Sequence, residues 1–247
     1  MGVEPVPGWT PRPLPARVAM DGRWCRLEPL HPRHADGLWS AFAGHDDLWH
    51  WMPLGPFPDR AAYDAWSDRA QATHDPMFFA VLVKGAPLGT LSLLRMDAEM
   101  GTAEVGWIAF SPSLQRTRAA SEAVMLLARA CFALGYRRFE WKCDAGNLAS
   151  RRAAQRFGFS FEGIHRQARV VKGRNRDTAW FSILYGEWPA LEAAWDAWLD
   201  PANFDAGGRQ RRSLSAMTAP ILAERDPALA GAVPGEHGEG ESGAGGA

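Results

Sequence analysis

Cysteine is scarce in this chain: Cys25, Cys131 and Cys143 lie far apart, and no CxxC pair occurs. That spacing suggests neither a disulfide framework nor a zinc site, and a reducing compartment, the cytoplasm, is the expected home. Long apolar runs are missing too. None approaches the ~20 residues needed to span a bilayer, and the first residues lack a basic-then-apolar signal. Nor does charge of one sign dominate, since a net charge of −1 argues against a protein that coats nucleic acid. No internal repeat occurs. His45, Asp46, Asp47 and His50 cluster in one loop, but no second cluster stands at ligand spacing, so no metal is expected. What remains is a chain of 247 residues, 47% hydrophobic, long enough to bury one sizeable core.

Residues 1–16 carry five prolines in VEPVPGWTPRPLP and read as an N-terminal arm, because proline cannot donate to a sheet ladder. Residues 17–200 read as one domain. RVAMDGRWCRLEPL alternates around Asp21-Gly22, a hairpin signal. Helices are predicted over 33–43 and 59–73 from apolar residues at helical spacing. Between them HDDLWHWMPLGPFPD is a Pro- and Gly-rich loop whose Trp49, Trp51 and Phe57 are candidates to line a substrate mouth, or else to cover the core. MFFAVLVK, LGTLSLLRM and 102–110 form a strand meander. A helix over 119–134, a strand over 137–143, a helix over 147–157, two further strands and a Trp-rich helix follow. Residues 201–247 read as a low-complexity tail expected to be disordered, and residues 207–247 as dispensable for folding and CoA binding.

The chain is organised around EVGWIAFSPSLQRTRAASE, residues 104–122, where a strand runs through a polar loop into an apolar helix. The free N–H groups and positive dipole end of that helix start stand beside arginines, the ingredients of a phosphate cradle. Asn147, ahead of the second late helix, is an excellent N-cap in its own right.

The order of elements resembles the GNAT acyltransferase fold: mixed α/β, with a central, mostly antiparallel sheet flanked by helices. In that family a strand ends in a loop written Q/R-x-x-G-x-G/A, which here reads Gln115-Arg116-Thr117-Arg118-Ala119-Ala120. NLASRRAAQRFGF matches the N-x-x-S-(seven residues)-G-F signature of the RimJ/RimL-like branch, and LWHWMPLGPF resembles that branch's substrate-side loop. The likeness spans about residues 17 to 190. It implies an acetyl-CoA-dependent N-acetyltransferase acting on a primary amine of a protein N-terminus or small molecule. It places pantetheine between strands 102–110 and 137–143, on backbone groups of Ile108 and Phe110, with Asn147 and Ser150 as further contacts.

Two departures bear on this. Glycine gives way to Arg118 at the fourth loop position and to Arg116 at the second, so either ordinary helical dihedrals suffice there and the side chains add charge, or the cofactor is lost. The tyrosine acid common elsewhere in the superfamily is Ala154 here, which passes that role to Ser150 or a water it holds. Glu104, inside an apolar strand, is the candidate base, unless strand alternation turns it to solvent. The rival reading is a catalytically silent module that binds acyl-CoA or a protein. Neither a membrane nor direct nucleic-acid contact is expected, and a homodimer stays an open alternative. Basic residues crowd 137–176, as a surface for CoA phosphates or an acidic partner, or simply as solvated charge.

Overall fold

The computed structural model describes residues 5–230. Strands β1 (Met20–Asp21) and β2 (Arg26–Pro29) form the expected hairpin. Helices α1 (Ala35–Phe42) and α2 (Arg60–Ala72) follow, then the meander β3 (Met77–Val83), β4 (Ala86–Asp97) and β5 (Thr102–Phe110). The second half alternates: α3 (Arg118–Ala133), β6 (Arg138–Asp144), α4 (Leu148–Phe157), β7 (Ser160–Val171), β8 (Arg174–Leu184), α5 (Trp188–Leu199) and the short α6 (Leu214–Thr218).

All strands join one eight-stranded sheet in the order β1-β2-β3-β4-β5-β6-β8-β7. Every pairing is antiparallel except β5 with β6, a parallel pair whose crossover is α3. Strand β3 shows why the apolar runs lack a polar face. Met77, Phe79 and Val81 bury against the core beneath α3 and α5, while Phe78, Ala80 and Leu82 bury against α1 and α2. Beneath α3, the positions expected to face the sheet, Val124, Leu127, Ala128 and Cys131, are all at most 1% exposed.

The two ends depart from their expected looseness. Along the arm, the Trp9 indole donates to the Glu99 carbonyl at 2.9 Å, and the Arg12 amide donates to that of Ala98. The expectation of a disordered tail is corrected over residues 201–230, which pack onto α4, α5 and β7. Leu214 is fully buried, and the Thr218 hydroxyl donates to the Arg156 carbonyl. Asp226 accepts from Arg151 Nε and Nη2 at 2.6 and 2.5 Å in a buried pair, and Arg151 Nη1 donates to the Ala145 carbonyl. Arg151 is therefore internal rather than part of a basic surface. The remainder of the expected tail, 231–247, and residues 1–4 lie outside the described residues.

Removing one partner of a buried ion pair strands the other in a dry site, which costs about 3 to 5 kcal/mol. Asp226→Ala should therefore lower the melting temperature by roughly 6 to 20 °C, from the usual 2 to 4 °C per kcal/mol in a chain of this size. Cutting the chain at residue 206 should do at least as much, because Leu214 leaves with Asp226. A melt unchanged in both proteins would show that the docked segment adds nothing.

Candidate active site

Strands β5 and β6 pair only from Thr102–Arg138 to Val105–Trp141. Beyond that point the strands part, and the backbone N–H and C=O groups of β5 that would have met β6 become available. A bulge helps to part them. The register with β4 slips between Thr90 and Ser92, and Trp107 sits at φ +51°. Ile108 and Phe110, the expected pantetheine contacts, lie on this freed stretch and are half-buried.

At the end of β5 the chain turns tightly. The amides of Leu114 and Gln115 donate to the Ser111 carbonyl, and the Gln115 side chain donates to the Phe110 carbonyl at 2.9 Å. Thr117 is the N-cap of α3: its hydroxyl accepts from the Ala120 amide at 3.1 Å and donates to the Leu114 carbonyl. The amides of Arg118 and Ala119, next in the first turn, have no helical acceptor and suit an anion.

The two arginines behave differently from one another. Arg118 opens the helix, so the missing glycine costs nothing there, but its guanidinium is sandwiched 3.8 Å from the Trp24 ring and 4.4 Å from Phe204. Arg116 corrects the expectation of ordinary dihedrals at both positions, because it sits at φ +61°, where glycine is at ease and arginine is strained.

Across the parting, Asn147 caps α4 by accepting from the Ser150 amide at 3.0 Å. Ser150 Oγ in turn accepts from the Trp141 indole at 3.0 Å, which holds the hydroxyl at the mouth of the cleft. The neighbouring Cys143 thiol is pushed up to about 11, chiefly by burial, with the Ser150 contact pulling the other way.

Glu104 faces the opposite side of the sheet from the core under α3, and only 4% of it is exposed, so the solvent-facing alternative fails. Its Oε2 lies 2.8 Å from Lys142 Nζ and 3.5 Å from Arg95 Nη1. Burial lifts its pKa above the ordinary carboxylate value; Lys142 and then Arg95 restrain the rise without cancelling it. Lys142 also pairs with Glu140 at 2.9 Å and lies 3.5 Å over the Trp180 ring. Sequence reasoning missed Lys142 and Arg95. The signal was there in RRFEWKC, where Arg138, Glu140 and Lys142 alternate with Phe139, Trp141 and Cys143.

The aromatic loop divides. Trp49 is 3% exposed and packs edge-on against Phe42, Phe57 and Trp66, and Phe57 also meets Tyr63 edge-on. Trp49 is corrected from substrate contact to core, since its ring contacts leave no face for a ligand, while Phe57, packed on the same cluster, stays half-buried. Trp51 stays exposed and reaches the start of α4, its ring 3.3 Å from where a side chain on Gly146 would begin. Among the described residues no three His, Cys, Asp or Glu side chains gather as a metal site, and no helix is long and apolar enough to cross a membrane.

Because a left-handed arginine costs about 1 to 2 kcal/mol and glycine loses part of that gain to its freer unfolded chain, Arg116→Gly should stabilise the fold by about 1 kcal/mol or less. Urea melts would show the gain. A destabilised Arg116→Gly protein would mean that the arginine side chain braces the turn.

Residues 25–160 match the family model described as the acetyltransferase (GNAT) domain. The chain is 47% identical to a GCN5-related N-acetyltransferase from Brucella melitensis, over 86% of this chain and 99% of that one, with a TM-score of 0.84. It is 44% identical to a probable GNAT-family acetyltransferase from Chromobacterium violaceum, over 77% and 98%, with a TM-score of 0.73. At 19% identity it shares a fold, at a TM-score of 0.60 over 66% and 93%, with the microcin C7 self-immunity acetyltransferase MccE, whose structure holds acetyl-CoA and AMP. No curated protein matches the sequence. The parted strands, the capped start of α3 and these likenesses converge: the chain belongs to the GNAT acetyltransferase family and carries the fold of acetyl-CoA-dependent acyl transfer.

Proposed function

We propose that this protein moves the acetyl group of acetyl-CoA onto a primary amine, with Glu104 accepting the amine proton and Ser150 serving the leaving thiolate. The observation that carries this reading is a carboxyl group buried beside the place where β5 and β6 part, with its pKa raised and a cation 2.8 Å away. A carboxyl lifted above its ordinary value holds a proton more readily than a free one, which is what a base for an ammonium requires. Acetyl-CoA supplies the activated acetyl group. On the protein's side, the first-turn amides of α3 receive phosphate charge with Arg116 beside them, and the freed backbone of Ile108 and Phe110 aligns the pantetheine. Ser150, fixed by Trp141 and by its place in the first turn of α4, offers a hydroxyl hydrogen to the thiolate.

The Asn147, Ser150, Gly158 and Phe159 signature supports placing the chain in the RimJ/RimL-like branch, and three free, buried cysteines suit a reducing cytoplasm. A silent acyl-CoA-binding module is the less favoured reading, because a carboxylate used only for binding has no need of costly burial.

Glu104→Gln should lower turnover about 10²- to 10⁴-fold while leaving acetyl-CoA affinity in place. Below the raised pKa the base is protonated, so wild-type kcat/KM should fall as pH drops through it, and that acid limb should vanish in Glu104→Gln. Thiol release followed across pH checks both. An active Glu104→Gln protein with an unchanged acid limb would remove Glu104 from the reaction.

A further inference from the structure

Buried polar atoms without a hydrogen-bond partner are rare in folded proteins, and each calls for an explanation. Among the described residues six such side-chain atoms lie away from any ion pair, and three share one sheet face: Arg176 Nε, Thr178 Oγ1 and Trp180 Nε1. The other three, on Arg12, Tyr63 and Tyr136, are scattered. Arg176, Thr178 and Trp180 are alternate residues of β8 and so point the same way. That way is toward Glu104, because Lys142, paired with Glu104, rests on the Trp180 ring.

We propose that this face of β8 is the wall against which the acceptor lies, and that the acceptor is a polypeptide N-terminus with acidic residues close behind its amine. The inference rests on the reading of Glu104 as the group that takes the amine proton. Arg176 Nε and the Trp180 indole can only donate, so their partners on the acceptor are oxygens. Alternate residues of a strand stand about 7 Å apart, so the wall runs about 14 Å from Trp180 to Arg176, the length of about four extended residues. A free amino acid or a small diamine is too short to reach both ends.

The surroundings fit an extended acidic chain. Lys172, at the tip of the β7–β8 hairpin, donates to the Trp49 carbonyl at 2.8 Å and so joins the hairpin to the aromatic loop. Exposed Trp51 flanks the start of α4 on that loop's side, where a peptide's second or third side chain would pass. Arg166, Arg169 and Arg174 lie exposed along the same hairpin and give this end of a nearly neutral chain a positive field.

The test is acetyl-CoA turnover by the full-length protein on three acceptors: Ala-Glu-Glu-Ala-amide, Ala-Gln-Gln-Ala-amide and spermidine. The Glu peptide should exceed the Gln peptide in kcat/KM by about tenfold or more, from charge-assisted hydrogen bonds. Arg176→Gln should bring that ratio close to one through KM rather than kcat. Trp180→Phe, which keeps the ring over Lys142 but removes the donor, should raise KM for both peptides. The wild-type ratio stands alone if a variant folds poorly. Turnover without preference for the Glu peptide, or with spermidine preferred, overturns this inference and leaves amine acetylation standing. No turnover of any amine, with acetyl-CoA still bound by calorimetry, overturns both.

Discussion

Everything that could serve catalysis here depends on one parallel strand pair that stops early. In an otherwise antiparallel sheet, β5 and β6 need a crossover, and α3 is that crossover. The consequence is that α3 starts at the end of β5 and α4 starts just past the end of β6, so both positive helix ends face the same parting of the strands. Open α/β sheets gather ligands outside the carboxyl ends of neighbouring parallel strands, for the same geometric reason. The bulge at Trp107 deepens the opening by turning β5 away just where its pairing with β6 has ended.

The electrostatics at that parting run against stability. A carboxyl whose folded pKa is raised favours the folded state while it is protonated, and that contribution is lost as pH rises through the folded pKa. Once ionised, Glu104 therefore weighs against the folded sheet. Lys142 offsets part of this at 2.8 Å and is itself tied to Glu140 and Trp180. Well-packed apolar side chains would often serve the fold as well or better than such a buried pair. Its position beside the parting of β5 and β6 is the physical ground for proposing it for proton transfer.

Most of the fold was legible because its elements repeat locally. The two-sided apolar run of β3, the 3.6-residue spacing of α3 and the Asp21-Gly22 turn each carry their signal within a dozen residues. The tail hid for the opposite reason: its anchors, Asn203, Leu214 and Asp226, are sparse and aperiodic, and Arg151 meets Asp226 from 75 residues away. Trp49 and Trp51 are two positions apart yet one is core and the other exposed, a difference set by Phe42 and Trp66 from other elements. Glu104 was found as a residue but not as a pair, because alternation along one strand says nothing about which neighbour stands opposite. The left-handed turn at Arg116 left no trace in composition, since only glycine or asparagine there would have announced it.

The family match runs from residue 25 to 160, and it holds the cradle, Glu104, Lys142 and Ser150. Further groups that brace the start of α3 and of α4 lie outside it. Trp24 and Phe204 close on Arg118 from either side, and Asp226 holds Arg151 one residue after Ser150. The Trp24 indole also donates to the Leu199 carbonyl, so the first hairpin and the end of α5 meet above the start of α3. A site whose reacting groups must be held to within about half an ångström needs such outer support. In this chain segments flanking the shared domain brace both helix starts. The acceptor wall proposed on β8 likewise lies past residue 160, so the proposed cofactor contacts belong to the shared part of the fold and the proposed acceptor preference to the part beyond it.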